Sequence, residues 1–295
     1  MIRSWGRERA WGRERVHRSL HPFILFCGLL CLGPIWDSPV WIFPAQAEGD
    51  ALPKIGIIGA DNRERVDSDA WPWVAIGRIN REIGGHCSGT LIAPDLVLTA
   101  AHCLYNFDDG RWIIPFEVHF VAGYDRGNFV AHARAKRFVR DPAYDPKRAK
   151  SASEIARDWA ILELAEPLGV KPVPVSAKSR AAVFADAKEG ELNIAGYSSD
   201  WPEILMRHKG CTLDGLASGT PTNGTQTGGM PILVHECDAT FGASGGPLLL
   251  MAGGRVEIIG IQNAVVEEAS KDERGTAVPV WNFAGELRRE MAAPR

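Results

Sequence analysis

Nothing in this 295-residue chain is long and apolar enough to form a membrane span of the usual kind. The segment FILFCGLLCLGPIW (Phe23 to Trp36) runs for 14 residues, contains Pro34 and is followed at once by Asp37, whereas a membrane helix needs about 20 apolar residues. No CxxC pair or clustered Cys/His spacing is present, so no metal or cofactor is expected. Sustained alternation of strand-like and helix-like segments is missing too, which argues against a parallel α/β sheet. Basic charge is not in excess, which removes a general affinity for nucleic acid.

What is present begins with a leader. Arg3, Arg7, Arg9, Arg13, Arg15 and Arg18 precede the apolar segment, and Ala45-Gln46-Ala47 comes after it. This order of basic, apolar and small-x-small residues marks residues 1–47 as a secretory signal cleaved after Ala47; an uncleaved anchor is the competing reading. The tandem WGRER at Trp5 and Trp11 does not recur downstream and is not an architectural repeat. Without the leader's six arginines and three acids, 27 basic residues face 33 acidic ones, and the chain is mildly acidic. Cys27 and Cys31 leave with the leader. Cys87, Cys103, Cys211 and Cys237 remain, an even number in an exported chain and hence candidates for two disulfides. The expected location is secreted or periplasmic, with no stable membrane association after cleavage.

The remainder is written in strands and turns. WVAIGRI (from Trp73), TLIAPDLVLTA (from Thr90), FEVHFVAGY (from Phe116), AILEL (from Ala160), PLLLMAG (from Pro247) and VEIIGIQNAVV (from Val256) are apolar or alternating runs. Gly, Pro, Asp and Asn separate them, the pattern of an all-β sandwich or barrel. Residues 141–158 and 214–230 read as surface loops, the second carrying the Asn223 glycosylation sequon. Phe283, Leu287 and Met291, four apart, predict a short terminal helix over Val280 to Met291.

Three motifs carry chemistry. LTAAHC (Leu98 to Cys103), RDWAILEL (Arg157 to Leu164) and GASGGP (Gly242 to Pro247) offer a histidine, an acid and a serine. A serine hydroxyl needs a base to become a nucleophile at neutral pH, and imidazole has a suitable pKa. A buried carboxylate fixes the imidazole tautomer and stabilises the imidazolium formed during attack. His102 is then the base, Asp158 its orienter and Ser244 the nucleophile. Gly242 permits a tight turn that aims the N–H groups of Gly242 and Ser244 at a developing oxyanion.

LTAAHC, DWAIL and GxSGGP, in that order, are similar to the chymotrypsin-like, trypsin-fold serine proteases, from about Ile57 to the terminal helix. The resemblance implies two six-stranded antiparallel β-barrels with the active site between them, His102 and Asp158 in the first and Ser244 in the second. It also implies pairing of Cys87 with Cys103. The stretches from Ile57 to Ile79 and from His235 to Leu249 look like the bacterial exported branch that includes the glutamyl endopeptidases, and there Cys211 is the implied partner of Cys237. The resemblance thus implies an exported, monomeric serine endopeptidase that takes a protein or peptide substrate; a protease-fold binding protein without catalysis is the alternative.

Specificity is open at this level. Asp238 lies six residues before Ser244, where trypsins carry the carboxylate that binds Arg or Lys; the other reading is a carboxylate bonded to neighbouring backbone. Where glutamyl endopeptidases resemble one another in a histidine, GIQNA supplies Gln262, so a glutamyl or small-residue preference is the alternative. Val265 and Gly275 are expected on the pocket walls, and Asn263 is either an Asp158 partner or a plain strand residue. His86, His119, His132, His208 and His235 need no special role. IIGA at Ile57 resembles the terminus that trypsins liberate, with residues 48–56 as a short propeptide and Lys54 as a processing site. Ala243 replaces the aspartate that in trypsins receives the freed amine, so the serine loop is expected to be ordered without that switch.

Overall fold

A computed structural model describes residues 55–148, 151–217, 230–267 and 273–294. The leader, Lys54 and Asn223 lie outside the described residues. Among them, no helix is long and apolar enough to cross a membrane.

The first half is a closed six-stranded barrel. Its strands succeed one another around the barrel as Ile76–Arg81, His86–Ala93, Leu96–Thr99, Ala160–Leu164, Ala131–Arg140 and Val118–Ala122, every pair antiparallel. Alternation explains the closure. In Ala131–Arg140, Ala133 and Ala135 are buried while Arg134 and Lys136 face out, so one face of the strand feeds the core. Ile79, Leu91, Val97, Leu98, Phe120 and Ile161 fill that core, each worth about 1.5–3 kcal/mol for burial. Gly77 is required there: a Cβ would lie 2.4 Å from the Phe120 ring.

The second half is an antiparallel sheet of eight strands. It runs Arg63–Arg65, Met206–Cys211, Glu191–Gly196, Pro247–Ala252, Arg255–Glu267, Glu273–Pro279, Ile232–His235 and Leu213–Ala217. Met206–Cys211 and Leu213–Ala217 stand near opposite ends of that order, yet Thr212 alone separates them in sequence. The sheet therefore curls until its ends meet. Counted as one bent strand, 206–217 completes a second six-stranded barrel, with Arg63–Arg65 added at the rim. The Cys211–Cys237 disulfide ties the bend to the residue two beyond strand Ile232–His235.

Some helical structure goes beyond the sequence reading. Helix Arg180–Glu189 begins after an N-cap, Ser179, whose hydroxyl accepts from the Ala182 N–H at 3.3 Å. Only Val183 is buried in it, so it lacks the apolar period that reveals a helix. A single turn, Ala152–Ile155, interrupts the stretch read as loop, and Leu213–Ala217 is strand rather than loop. The terminal helix spans Ala284–Ala292 after a 3₁₀ turn; Phe283 and Leu287 are buried, but Met291 is half exposed because the helix ends at the surface.

Candidate active site

His102 sits in the 3₁₀ turn Ala101–Leu104 that ends the hairpin made by His86–Ala93 and Leu96–Thr99. The Cys87–Cys103 disulfide holds that turn to the hairpin's first strand. Thr99 pairs with Ala160, and this register carries Asp158 to the same end of the barrel. There the Asp158 carboxylate accepts the His102 backbone N–H at 2.8 Å through one oxygen. Its other oxygen lies 2.6 Å from His102 Nδ1 and also accepts from the Asn263 amide of the second barrel. Asp158 is only 2% exposed, yet both its oxygens are hydrogen-bonded, which is what a buried carboxylate requires. Burial alone would lower the His102 pKa; the Asp158 charge and hydrogen bond outweigh it and hold the imidazole above its ordinary value.

Ser244 reaches the same cleft from the second barrel. Its turn depends on two glycines of positive φ, Gly242 at 88° and Gly245 at 80°. A Cβ on Gly245 would lie 2.1 Å from Thr99 Oγ1 and 2.4 Å from the Ser88 carbonyl, so only glycine allows the turn to dock on the first barrel. Docking is sealed where the Ser88 N–H donates to the Ser244 carbonyl at 2.9 Å. The Ser244 hydroxyl donates to the Asn263 carbonyl at 3.4 Å, a long and weak bond. The Phe241 carbonyl accepts from Ser199 N–H at 2.6 Å and the Gly242 carbonyl from Ser88 Oγ at 2.9 Å. Among the described residues no acceptor takes the N–H groups of Gly242 or Ser244.

Ala243 is buried, and the serine loop is secured by other groups. Asp238 accepts the backbone N–H of Ile58 at 2.7 Å and of Asn62 at 2.9 Å, one with each oxygen, and the His208 ring lies 3.2 Å away. Burial opposes its charge, and these bonds outweigh burial, keeping the carboxyl below its ordinary pKa. Ala239 N–H donates to the Gly56 carbonyl, and Arg63 bridges Asp200 and the Thr240 hydroxyl. Residues 56–63 thus strap the loop from outside. Asp238 faces that strap and does not line the cleft, which corresponds to the backbone-bonded reading rather than to a carboxylate awaiting Arg or Lys.

The cleft encloses about 330 Å³ beside His102, Asp158 and Ser244, with Gln262, Ala264 and Phe241 among its other walls. Gln262 thus lies on the cleft wall. Val265 pairs with Gly275 across the sheet, but its side chain lies outside the described residues. Gly275 does not open onto the cleft: a Cβ there would lie 2.1 Å from the His235 ring, which fills the space. His235 is fully buried and reaches Gln262 Oε1 through Nε2 at 2.9 Å. Sequence reasoning gave His235 no role; its one signal was its place three residues before Asp238 in a buried strand.

Comparison with known proteins bears on the family and the fold. The family model described as Trypsin matches residues 60–285. The CLIP domain-containing serine protease HP8 of Bombyx mori is 30% identical over 124 residues, 36% of this chain and 33% of that protein. Coagulation factor XII of Sus scrofa is 26% identical over 251 residues, 72% of this chain and 38% of that protein. Glutamyl endopeptidase of Bacillus licheniformis is 44% identical over 57 residues, 19% of this chain and 18% of that protein. The chain thus spans well under half the length of each of these relatives. Among solved structures, a Glu endopeptidase in complex with MPD superposes with a TM-score of 0.58 at 18% identity, covering 80% of this chain and 100% of that one. The Vibrio cholerae VesB protease gives 0.55 at 20% identity, covering 78% and 67%. Both share the fold.

Proposed function

The chain belongs to the trypsin family, and on that premise we propose that it is a serine endopeptidase working through an acyl-enzyme. The observation that carries this reading is the Asp158 carboxylate held by both His102 and Asn263 in the cleft where Ser244 lies. Asp158 keeps the proton of His102 on Nδ1, leaving Nε2 as the base. Ser244 exchanges its weak bond to the Asn263 carbonyl for His102 Nε2 and attacks the substrate carbonyl carbon as its proton moves to the imidazole. The tetrahedral oxyanion is received by the N–H groups of Gly242 and Ser244. His102 then gives its proton to the leaving amine, the C–N bond breaks, and water repeats the sequence to release the acid.

Export and processing belong to the same proposal. Residues 1–47 direct secretion or passage to the periplasm and are cleaved after Ala47. The strap from Gly56 to Arg63 supports a loop ordered without a freed amine, since the Ile58 N–H that reaches Asp238 is an ordinary peptide N–H. The test is a fluorophosphonate probe on the mature protein, with the labelled residue mapped by mass spectrometry. Labelling at Ser244, lost in Ser244→Ala together with peptide hydrolysis, supports the proposal. A mature protein that binds peptide but neither labels nor cleaves is the binding protein of the alternative reading.

A further inference from the structure

Gln262 lines the cleft and is hydrogen-bonded to the buried His235. The Cys237 backbone N–H donates to His235 Nδ1 at 3.1 Å, so this nitrogen is the acceptor and the ring proton sits on Nε2. Nε2 lies 2.9 Å from Gln262, which must therefore present its oxygen to the ring. The Gln262 amide nitrogen is turned the other way. It makes a single long contact of 3.4 Å to the Ala264 carbonyl, which leaves a second N–H without an acceptor in a side chain that is 3% exposed and lines the cleft. A buried donor left open is unfavourable unless an acceptor fills it.

The rest of the cleft narrows the choice of ligand. Among the described residues lining it, His102 and Asp158 alone carry charge or can acquire it near neutrality, and they belong to the reaction centre. The Asp238 carboxylate is occupied by the strap, and the Thr240 hydroxyl is engaged with Asp200. The His235 ring fills the space over Gly275. Against the described residues, a lysine, arginine or glutamate side chain would enter without a counter-charge, at a desolvation cost.

We propose that Gln262, oriented by His235, is the residue that reads the side chain on the acyl side of the scissile bond (P1), and that it selects an uncharged side chain carrying an acceptor, with glutamine as the reference. Gln262 is then the specificity residue and His235 a positioning residue behind it. Burial lowers the His235 pKa to about 4, so the pair stays neutral near pH 7 and offers a hydrogen bond without a charge. The proposal rests on the serine-peptidase reading and names its substrate class.

The experiment compares kcat/KM for peptides that differ only at P1, as Gln, Glu, Lys and Leu, in the wild type and Gln262→Met. Fluorophosphonate labelling of both proteins separates a failed fold or a failed peptidase reading from a failed preference. The wild type is expected to favour P1 Gln over each of the others by about tenfold, the worth of one well-placed hydrogen bond. In a Gln262→Met protein that still labels, the Gln to Leu ratio should fall to about one. Preference for Lys or Glu in a labelling wild type, or an unchanged ratio in Gln262→Met, overturns the inference. Absence of labelling in the wild type overturns the peptidase reading and the inference with it.

Discussion

His102 in the cleft and His235, buried against the cleft residue Gln262, are both held by hydrogen bonds, yet their environments push them in opposite directions. His102 faces a carboxylate and is raised above its ordinary pKa; His235 faces a carboxamide and is lowered to about 4. Burial acts on both in the same sense, so the neighbouring charge is what separates them. A histidine beside Asp158 can accept a proton during a reaction. A histidine beside Gln262 can only orient its neighbour. In the proposed mechanism the same residue type supplies acid–base chemistry at Asp158 and fixed hydrogen bonding at Gln262.

Removing the charge should break this contrast most severely. Asp158→Asn keeps the shape but loses the carboxylate that sets the tautomer of His102, and kcat at pH 7 is expected to drop by about 10⁴, as for the matching substitution in other triads. Steady-state hydrolysis of a peptide amide checks this. A loss below tenfold would mean that Asp158 does not orient the base.

Acid stability sharpens the other half. A histidine whose pKa is lower folded than unfolded stabilises the fold above its unfolded value, near 6.5, and that stability is lost as pH falls towards 4. Across this window His235 contributes a loss of about 3 kcal/mol, from about 1.4 kcal/mol per pKa unit. His86, also lowered chiefly by burial, adds in the same direction. The raised His102 works oppositely, since its contribution is present below 6.5 and is lost as pH rises through its folded value. Urea unfolding at pH 7 and pH 4.5 measures the sum, which should favour pH 7 by a few kcal/mol. A pH 4.5 to pH 7 difference that is the same in wild type and His235→Gln would place His235 in a less buried setting.

Legibility in the sequence divides along the same line. LTAAHC, DWAIL and GASGGP marked the candidate reaction centre because each proposed chemical role demands a residue type at a strand end, and such demands leave short motifs. The all-β class was legible through alternating runs, as in Ala131–Arg140. The two disulfides came from family resemblance. Specificity was not legible in this way, because it depends on distant chain segments. Whether Asp238 faces substrate or backbone is decided by Ile58 and Asn62, 180 and 176 residues away. The part played by His235 depends on Gln262 and on the missing side chain of Gly275, which only the sheet register brings beside it. Helix Arg180–Glu189 was missed since one buried residue makes no periodic stripe.

The most direct measurement is an NMR titration of the histidine side chains in the mature protein, with resonances assigned through His102→Gln and His235→Gln. The expected result is a His102 imidazole that titrates above 6.5, while His235 stays neutral with its proton on Nε2 until the pH approaches 4. A His235 that titrates alongside His102, or that carries its proton on Nδ1, would contradict the contrast between the two rings.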